Sequence, residues 1–220
     1  MSATVDHVRT ADNADAQRSS AHGRSEGSGT PNSPLRLAVV IGSTREGRFG
    51  PTIAHWFVRQ AALRDAIFVD VVDTASIELP RAFGAASDHP SLTEATDKLA
   101  RADAFVVVTP EYNHSYPGSL KNLIDTHHAE WQAKPVGFVS YGGISGGLRA
   151  VEHLRPVFAE LHAVTVRDSI CFPNAWGRFD EAGELTAPND ADAAAATMLD
   201  QLTWWGEALR AARVANPYGK

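Results

Sequence analysis

Three short segments of this chain concentrate residue types suited to gripping a small ligand. The first is Gly42-Ser43-Thr44-Arg45-Glu46-Gly47-Arg48-Phe49-Gly50-Pro51. An apolar run ends just before it and a helical pattern follows. It therefore sits where unpaired backbone N–H groups and the helix dipole favour an anion. Ser43 and Thr44 add hydroxyl donors, and Arg45 and Arg48 add charge-assisted ones. Gly42, Gly47 and Gly50 let the backbone approach a ligand closely. A phosphate cradle is expected from Ser43, Thr44, Arg45, Arg48, Phe49 and Gly50; the alternative is a plain surface turn. Gly42-x4-Gly47 has the spacing of a P-loop, but Arg48 and Phe49 replace the Lys and Ser/Thr that a triphosphate and its magnesium require. No G-x-G-x-x-G is present for a dinucleotide. A terminal monophosphate fits better.

The second segment is Thr109-Pro110-Glu111-Tyr112-Asn113-His114-Ser115-Tyr116-Pro117-Gly118. Tyr112 offers an aromatic face, and Asn113 offers an amide with both donors and acceptors. The pyrimidine edge of a flavin needs both kinds. The third, Tyr141-Gly142-Gly143-Ile144-Ser145-Gly146-Gly147, exposes backbone N–H groups to a planar ligand.

These loops must be positioned by the elements between them. Leu37–Ile41, Ile67–Val72, Ala104–Val108, Val136–Ser140 and a short Ala163–Val166 read as strands. Ile53–Leu63, Leu92–Ala102, Ser119–Glu130, Leu148–Leu161 and Ala191–Val214 read as helices, with Pro156 marking a kink or irregular turn. Strands apolar throughout are covered on both faces. Their alternation with helices gives an α/β fold, a doubly wound five-stranded parallel sheet of order 2-1-3-4-5. In that order the connections leaving strands 1 and 3 depart on opposite faces, and the crevice between them is the expected ligand site. The three loops meet there.

Composition narrows the function classes. The net charge is −6, from 20 Lys and Arg against 26 Asp and Glu, which disfavours a general nucleic-acid binder. No apolar run approaches the roughly 20 residues of a membrane span, and no secretory leader is visible, so the default localisation is the cytoplasm. The single cysteine, Cys171, rules out an intramolecular disulfide and reads as a small core residue. Residues 1–34 are Gly/Ser/Pro-rich towards their end and read as a disordered tail. Residues 35–214 form the domain, and 215–220 a C-terminal tail.

Taken together, the chain resembles the NADPH-dependent FMN reductase family, the flavodoxin-like quinone, chromate and azo-compound reductases. The resemblance rests on Thr109-Pro110-Glu111-Tyr112-Asn113 followed by Pro117-Gly118-x-Leu120-Lys121-Asn122-x-Ile124-Asp125, and on Gly42-Ser43-Thr44-Arg45-Glu46-Gly47. It implies that Ser43 and Arg45 hold the FMN phosphate. Pro110, Glu111, Tyr112 and Asn113 would line the isoalloxazine and ribityl region, and Gly142 and Gly143 would border the ring. The family loop often carries Ser and Asn where this chain has Arg48 and Gly50, with Arg48 substituting by charge. The resemblance further implies NADPH or NADH as reductant and ping-pong transfer of two electrons to a quinone, flavin or similar small acceptor. Hydride goes to flavin N5, so no catalytic side chain is expected. It also implies a homodimer or homotetramer, with helix Ser119–Glu130 and Trp131 as interface elements.

Competing readings arise from the same residues. One is a non-catalytic FMN-binding electron carrier or regulator. Another starts from Gly143-Ile144-Ser145-Gly146-Gly147, which matches the G-x-S-x-G of a hydrolase nucleophile elbow; its only later histidines are His153 and His162, in or at the end of the next helix. His127-His128 with Asp125 and Glu130 reads as solvated helix or interface rather than metal site, and no metal is expected. Trp204-Trp205 reads as one core and one packing or interface residue. Arg149 and Arg155 are candidates for meeting a nicotinamide 2′-phosphate.

Overall fold

Successive strand residues point to opposite faces, so a strand that is apolar at every position needs cover on both sides. The computed structural model, which describes residues 33–80, 82 and 88–219, supplies that cover. Five parallel strands, β1 (Leu35–Ile41), β2 (Ile67–Asp73), β3 (Ala104–Pro110), β4 (Pro135–Gly142) and β5 (Val164–Pro173), lie in the order β2-β1-β3-β4-β5. The fold is the expected doubly wound α/β sheet. The tail assigned to residues 1–34 falls outside the described residues except for Ser33 and Pro34.

The helices divide between the two faces. Leu37, Val39 and Ile41 of β1 pack with α1 (Gly50–Ala62) and the long α5 (Asn189–Ala215). Ala38 and Val40, the alternate residues, pack with α2 (Pro90–Arg101), α3 (Gly118–Thr126) and α4 (Leu148–Glu160). The chain thus leaves β1 towards one face and β3 towards the other, which opens a crevice at the carboxyl ends of these neighbouring strands. β3 and β4 are buried at every residue, whereas the edge strands β2 and β5 are only partly so.

Five expectations differ from the structure. β5 runs to Pro173 instead of stopping at Val166. Val136 pairs with Thr165 but Phe138 pairs with Ser169, so β5 carries two extra residues against β4. That bulge puts Arg167 out in solvent, leaves Asp168 partly buried against Gln201, and returns Ile170 and Phe172 to the core. Next, α3 ends at Thr126, because His127 takes an extended backbone (φ −119°, ψ 142°). His127 is then buried rather than solvated, with Nδ1 2.9 Å from the Leu123 carbonyl and Nε2 2.9 Å from the Thr96 hydroxyl. Trp131 belongs to the core, not to an interface: it is fully buried between Phe105 and Phe158, and its indole N–H donates to Ile124 O. Finally, Trp204 and Trp205 both face outward, stacked edge to face on each other, and neither is a core residue. Pro156 sits inside α4, which continues across it.

Candidate functional site

The carboxyl ends of β1, β3 and β4 enclose a cavity of about 360 Å³. Its walls are Arg45 to Phe49 after β1, Pro110 to Tyr112 after β3, Tyr141 to Gly143 at the end of β4, and Trp176 beyond β5. The three loops singled out by residue type therefore converge, at the topological switch point.

The loop after β1 is held by two anchors. Arg48 forms a forked ion pair with Asp73 at the end of β2 (2.5 and 2.6 Å) and donates to Ser43 O at 2.8 Å. The hydrogen bond from Arg48 to the carboxylate raises the guanidinium pKa above its usual value. Arg48 lines the cavity, but its charge is already neutralised by the chain. Ser43 is completely buried and accepts a hydrogen bond from the Tyr141 hydroxyl at 3.2 Å. Burial pushes the Tyr141 phenol up to about 12, so it stays a neutral donor. Gly50 is required by this packing: a Cβ there would lie 2.8 Å from Ser43 Oγ and 3.0 Å from the Tyr141 hydroxyl.

Arg45 differs from Arg48. It is exposed, lines the cavity and has no ion-pair partner among the described residues. Beside it, α1 begins without a side-chain cap and without an acidic residue in its first turn. An uncapped helix N-terminus with an adjacent unpaired cation suits a phosphate dianion. Thr44 is exposed and does not line the cavity.

After β3, Tyr112 and Ser115 exchange backbone hydrogen bonds of 2.8 and 3.1 Å across Asn113 and His114. Both central residues have positive φ, 49° and 75°, the pattern of a tight primed turn, where Asn is favoured. Asn113 thus serves the backbone of the turn and stands outside the cavity lining, while Tyr112 borders it. Glu111 is buried by its partners: Ser145 Oγ donates to it at 2.8 Å, and Arg149 at 2.7 Å. Burial raises the Glu111 pKa, but hydrogen bonds from Ser145 and Arg149 together outweigh it and hold the carboxylate low.

Ser145 is consequently engaged with a carboxylate. Its hydroxyl donates to Glu111 rather than to a histidine, while His153 hydrogen-bonds Ser115. That arrangement lacks the base a serine nucleophile needs, and the hydrolase reading is set aside. Arg155 faces away from the cavity's business: it donates to Thr165 Oγ1 and to the carbonyls of Val166 and Arg167, clamping the β5 bulge. Arg149, paired with Glu111, stands near the cavity wall. Cys171 is half-buried under the Ser145–Gly146 carbonyls, and burial pushes its thiol pKa up. Among the described residues no cluster of His, Cys, Asp or Glu is arranged to hold a metal ion.

Tyr141 and Trp176 are wall residues that residue-type reasoning did not assign. Tyr141 was visible as the start of the third segment. Trp176 was hidden by the early end given to β5, which detached Asn174-Ala175-Trp176-Gly177 from the carboxyl edge of the sheet.

The NADPH-dependent FMN reductase family model matches residues 35–177. An NAD(P)H-dependent FMN reductase from Schizosaccharomyces pombe is 39% identical over 125 residues, 51% of this chain and 60% of that protein. A 2-hydroxy-1,4-benzoquinone reductase from a Burkholderia species is 32% identical over 184 residues, 78% of this chain and 96% of that protein. Among solved structures, the flavoenzyme NAD(P)H:(acceptor) oxidoreductase of Paracoccus denitrificans aligns with a TM-score of 0.64 at 22% identity, covering 79% of this chain and 97% of that one, a likeness of fold.

Proposed function

This chain belongs to the NADPH-dependent FMN reductase family, and from that premise we propose that it carries two electrons from NAD(P)H, by way of FMN, to a quinone. The observation that carries the reading is the cavity at the switch point, which is lined by an unpaired Arg45 beside the uncapped α1 and by Tyr112 with the Tyr141–Gly143 edge. These residues fit FMN, which needs an anion site and a flat slot. Quinone as the acceptor class is supported by the name of the Burkholderia relative.

Arg45 and the first turn of α1 would hold the phosphate. Tyr112, Pro110 and the backbone of Gly142 and Gly143 would border the ring, as would Tyr141; Ser43, expected to hold the phosphate, is fully buried outside the lining and steadies Tyr141 from behind instead. Glu111 keeps Ser145 and Arg149 in place. FMN held by these residues would supply a two-electron carrier between the nicotinamide and the acceptor. The sum is NAD(P)H plus one proton plus quinone giving NAD(P)⁺ and hydroquinone. On this reading both substrates use the same cavity, so the oxidised nicotinamide would depart before the quinone enters, a ping-pong order. The same reading keeps a homodimer or homotetramer in the cytoplasm as its expectation. No helix among the described residues is long and apolar enough to cross a membrane.

The test is an absorbance spectrum of FMN-loaded protein before and after NADPH without oxygen, followed by addition of a quinone. Flavin bands that bleach within turnover time and return with the quinone are expected. Bound flavin that does not bleach would instead make the protein an electron carrier.

A further inference from the structure

The chain has five tryptophans, and four of them are accounted for by contacts within the fold. Trp56 is buried, and its indole donates to Asp192. Trp131 is buried against Phe105 and Phe158. Trp204 and Trp205 pack on each other with centroids 4.9 Å apart. Trp176 alone has neither burial nor a ring neighbour among the described residues: it is 65% exposed, and it lines the cavity.

Its backbone, by contrast, is firmly placed. The short helical turn Ala175–Gly177 follows Asn174, whose left-handed conformation (φ 48°, ψ 49°) reverses the chain at the end of β5. Asn174 N donates to Gly143 O at 2.9 Å, tying the turn to the glycine edge of the cavity. Ala175 is fully buried. Phe179, just beyond, packs edge to face on both Phe172 and Phe49, with centroids 5.3 and 5.5 Å away. Phe49 belongs to the cradle, so the Trp176 turn is fastened to two of the cavity's walls. A large rigid aromatic held in the open by an ordered turn is a ready platform, because little conformational freedom remains to be lost when a ligand covers it.

We propose that Trp176 is the acceptor-selecting wall of this site, stacking on the ring of a flat, electron-poor acceptor such as a quinone and favouring it over compact hydrated oxidants. The inference rests on the FMN reductase reading above. The cofactor's expected holders, Arg45, the α1 terminus and the ends of β3 and β4, come from three other segments of the same lining. Trp176 reaches the cavity from beyond β5 and leaves most of its surface open to a molecule that enters and leaves. Indole is electron-rich and a quinone ring electron-poor, which suits offset stacking. Ferricyanide, an octahedral anion, has no aromatic face to offer.

The test uses the FMN-loaded full chain in wild-type, Trp176→Ala and Trp176→Phe forms. First, the dissociation constant of 1,4-naphthoquinone is measured on the oxidised holoprotein, which needs no turnover. Trp176→Ala should raise it about three- to tenfold and Trp176→Phe by less, the range expected for losing one aromatic pair. Second, NADPH oxidation is followed with naphthoquinone, one per NADPH, or with ferricyanide, two per NADPH. Trp176→Ala should raise KM for the quinone with kcat little changed and leave the ferricyanide KM alone, the signature of lost ground-state and transition-state binding together. FMN affinity should be unchanged. Equal effects on both acceptors, no effect on either, or loss of FMN from Trp176→Ala would overturn the assignment. Wild-type protein that bleaches with neither nicotinamide but still loses quinone affinity on Trp176→Ala would overturn the reductase reading and keep the stacking wall. Wild-type protein that takes up no FMN would end both.

Discussion

The two ends of the sheet differ in what they leave unpaired, although each holds ion pairs of its own. At the amino-terminal edge the charges close on one another. Asp103, just before β3, accepts from Arg36 N at 3.1 Å and from Arg210 and Arg213 of α5 at 3.2 and 3.3 Å. Lys134, just before β4, donates to the carbonyls of Leu99 and Ala100 at the end of α2. Arg210 and Arg213 also reach carbonyls of Pro34 and Ala133. At the carboxyl-terminal edge Arg45 has no ion-pair partner among the described residues, α1 begins uncapped, and Trp176 is uncovered. A polar group satisfied within the chain contributes to folding, and one left unsatisfied is available to a ligand. The difference separates residues that hold the sheet from residues that would hold FMN.

The largest test of that division is Asp103→Ala. It strands two partly buried guanidinium groups and one backbone N–H, and should lower unfolding free energy by roughly 3 kcal/mol in urea titrations, with FMN affinity of the folded protein unchanged. Weaker FMN binding at temperatures where the variant is fully folded would show that the closed end also shapes the cavity. At the open end, Arg45→Ala should leave urea stability within about 0.5 kcal/mol. It should weaken FMN by roughly ten- to a hundredfold, the size of a charge-assisted hydrogen bond, and riboflavin hardly at all. Equal losses for the two flavins would remove Arg45 from the phosphate and leave the helix N-terminus to hold it alone.

What could be read before any fold was known follows the same division. The central strands were legible because burial on both faces leaves no polar residue to interrupt the pattern, and their order followed from the alternation with helices. The cradle was legible because anion sites draw on a small set of residue types. Pairings distant in sequence were not. Asp73 lies 25 residues from Arg48 on another strand, and nothing local marks it as the partner that would neutralise that arginine. Asn113 misled because one side chain has two uses, an amide for a ligand and a tolerance of positive φ, and the structure employs the second. β5 was cut short because the bulge brings Arg167 and Asp168 into the middle of a strand, breaking the alternation that identifies one. Losing the last seven residues of β5 also hid Trp176.

The smallest effect concerns Lys134, and it asks what kind of closure the amino-terminal edge has. Burial first, then the charge of Arg213, push the ammonium pKa down to about 7, against the opposing pull of Asp103 and Glu130. In the unfolded chain a lysine keeps its proton to about pH 10.4. Between those values the unfolded state binds more protons, so stability should rise with pH, by about 1 kcal/mol from about pH 7 to about pH 8. Tyr141 acts in the other direction: its folded pKa of about 12 lies above the unfolded value, so its contribution is lost as the medium passes from about pH 10 to about pH 12. Comparing urea stability of wild type and Lys134→Met cancels the histidines common to both, and only the wild type should show the lower-pH rise. The geometry supplies a counterweight. Two helix-end carbonyls accept from Nζ at 3.0 and 2.8 Å, and the Phe105 ring lies 5.4 Å below it, and all three favour the charged form. A slope that survives in the wild type and vanishes in Lys134→Met makes this edge a neutral plug at alkaline pH. Parallel, flat profiles would mean that the carbonyls and the ring hold the proton, and that the closed end is a locked cation facing, across the length of the sheet, an open one at Arg45.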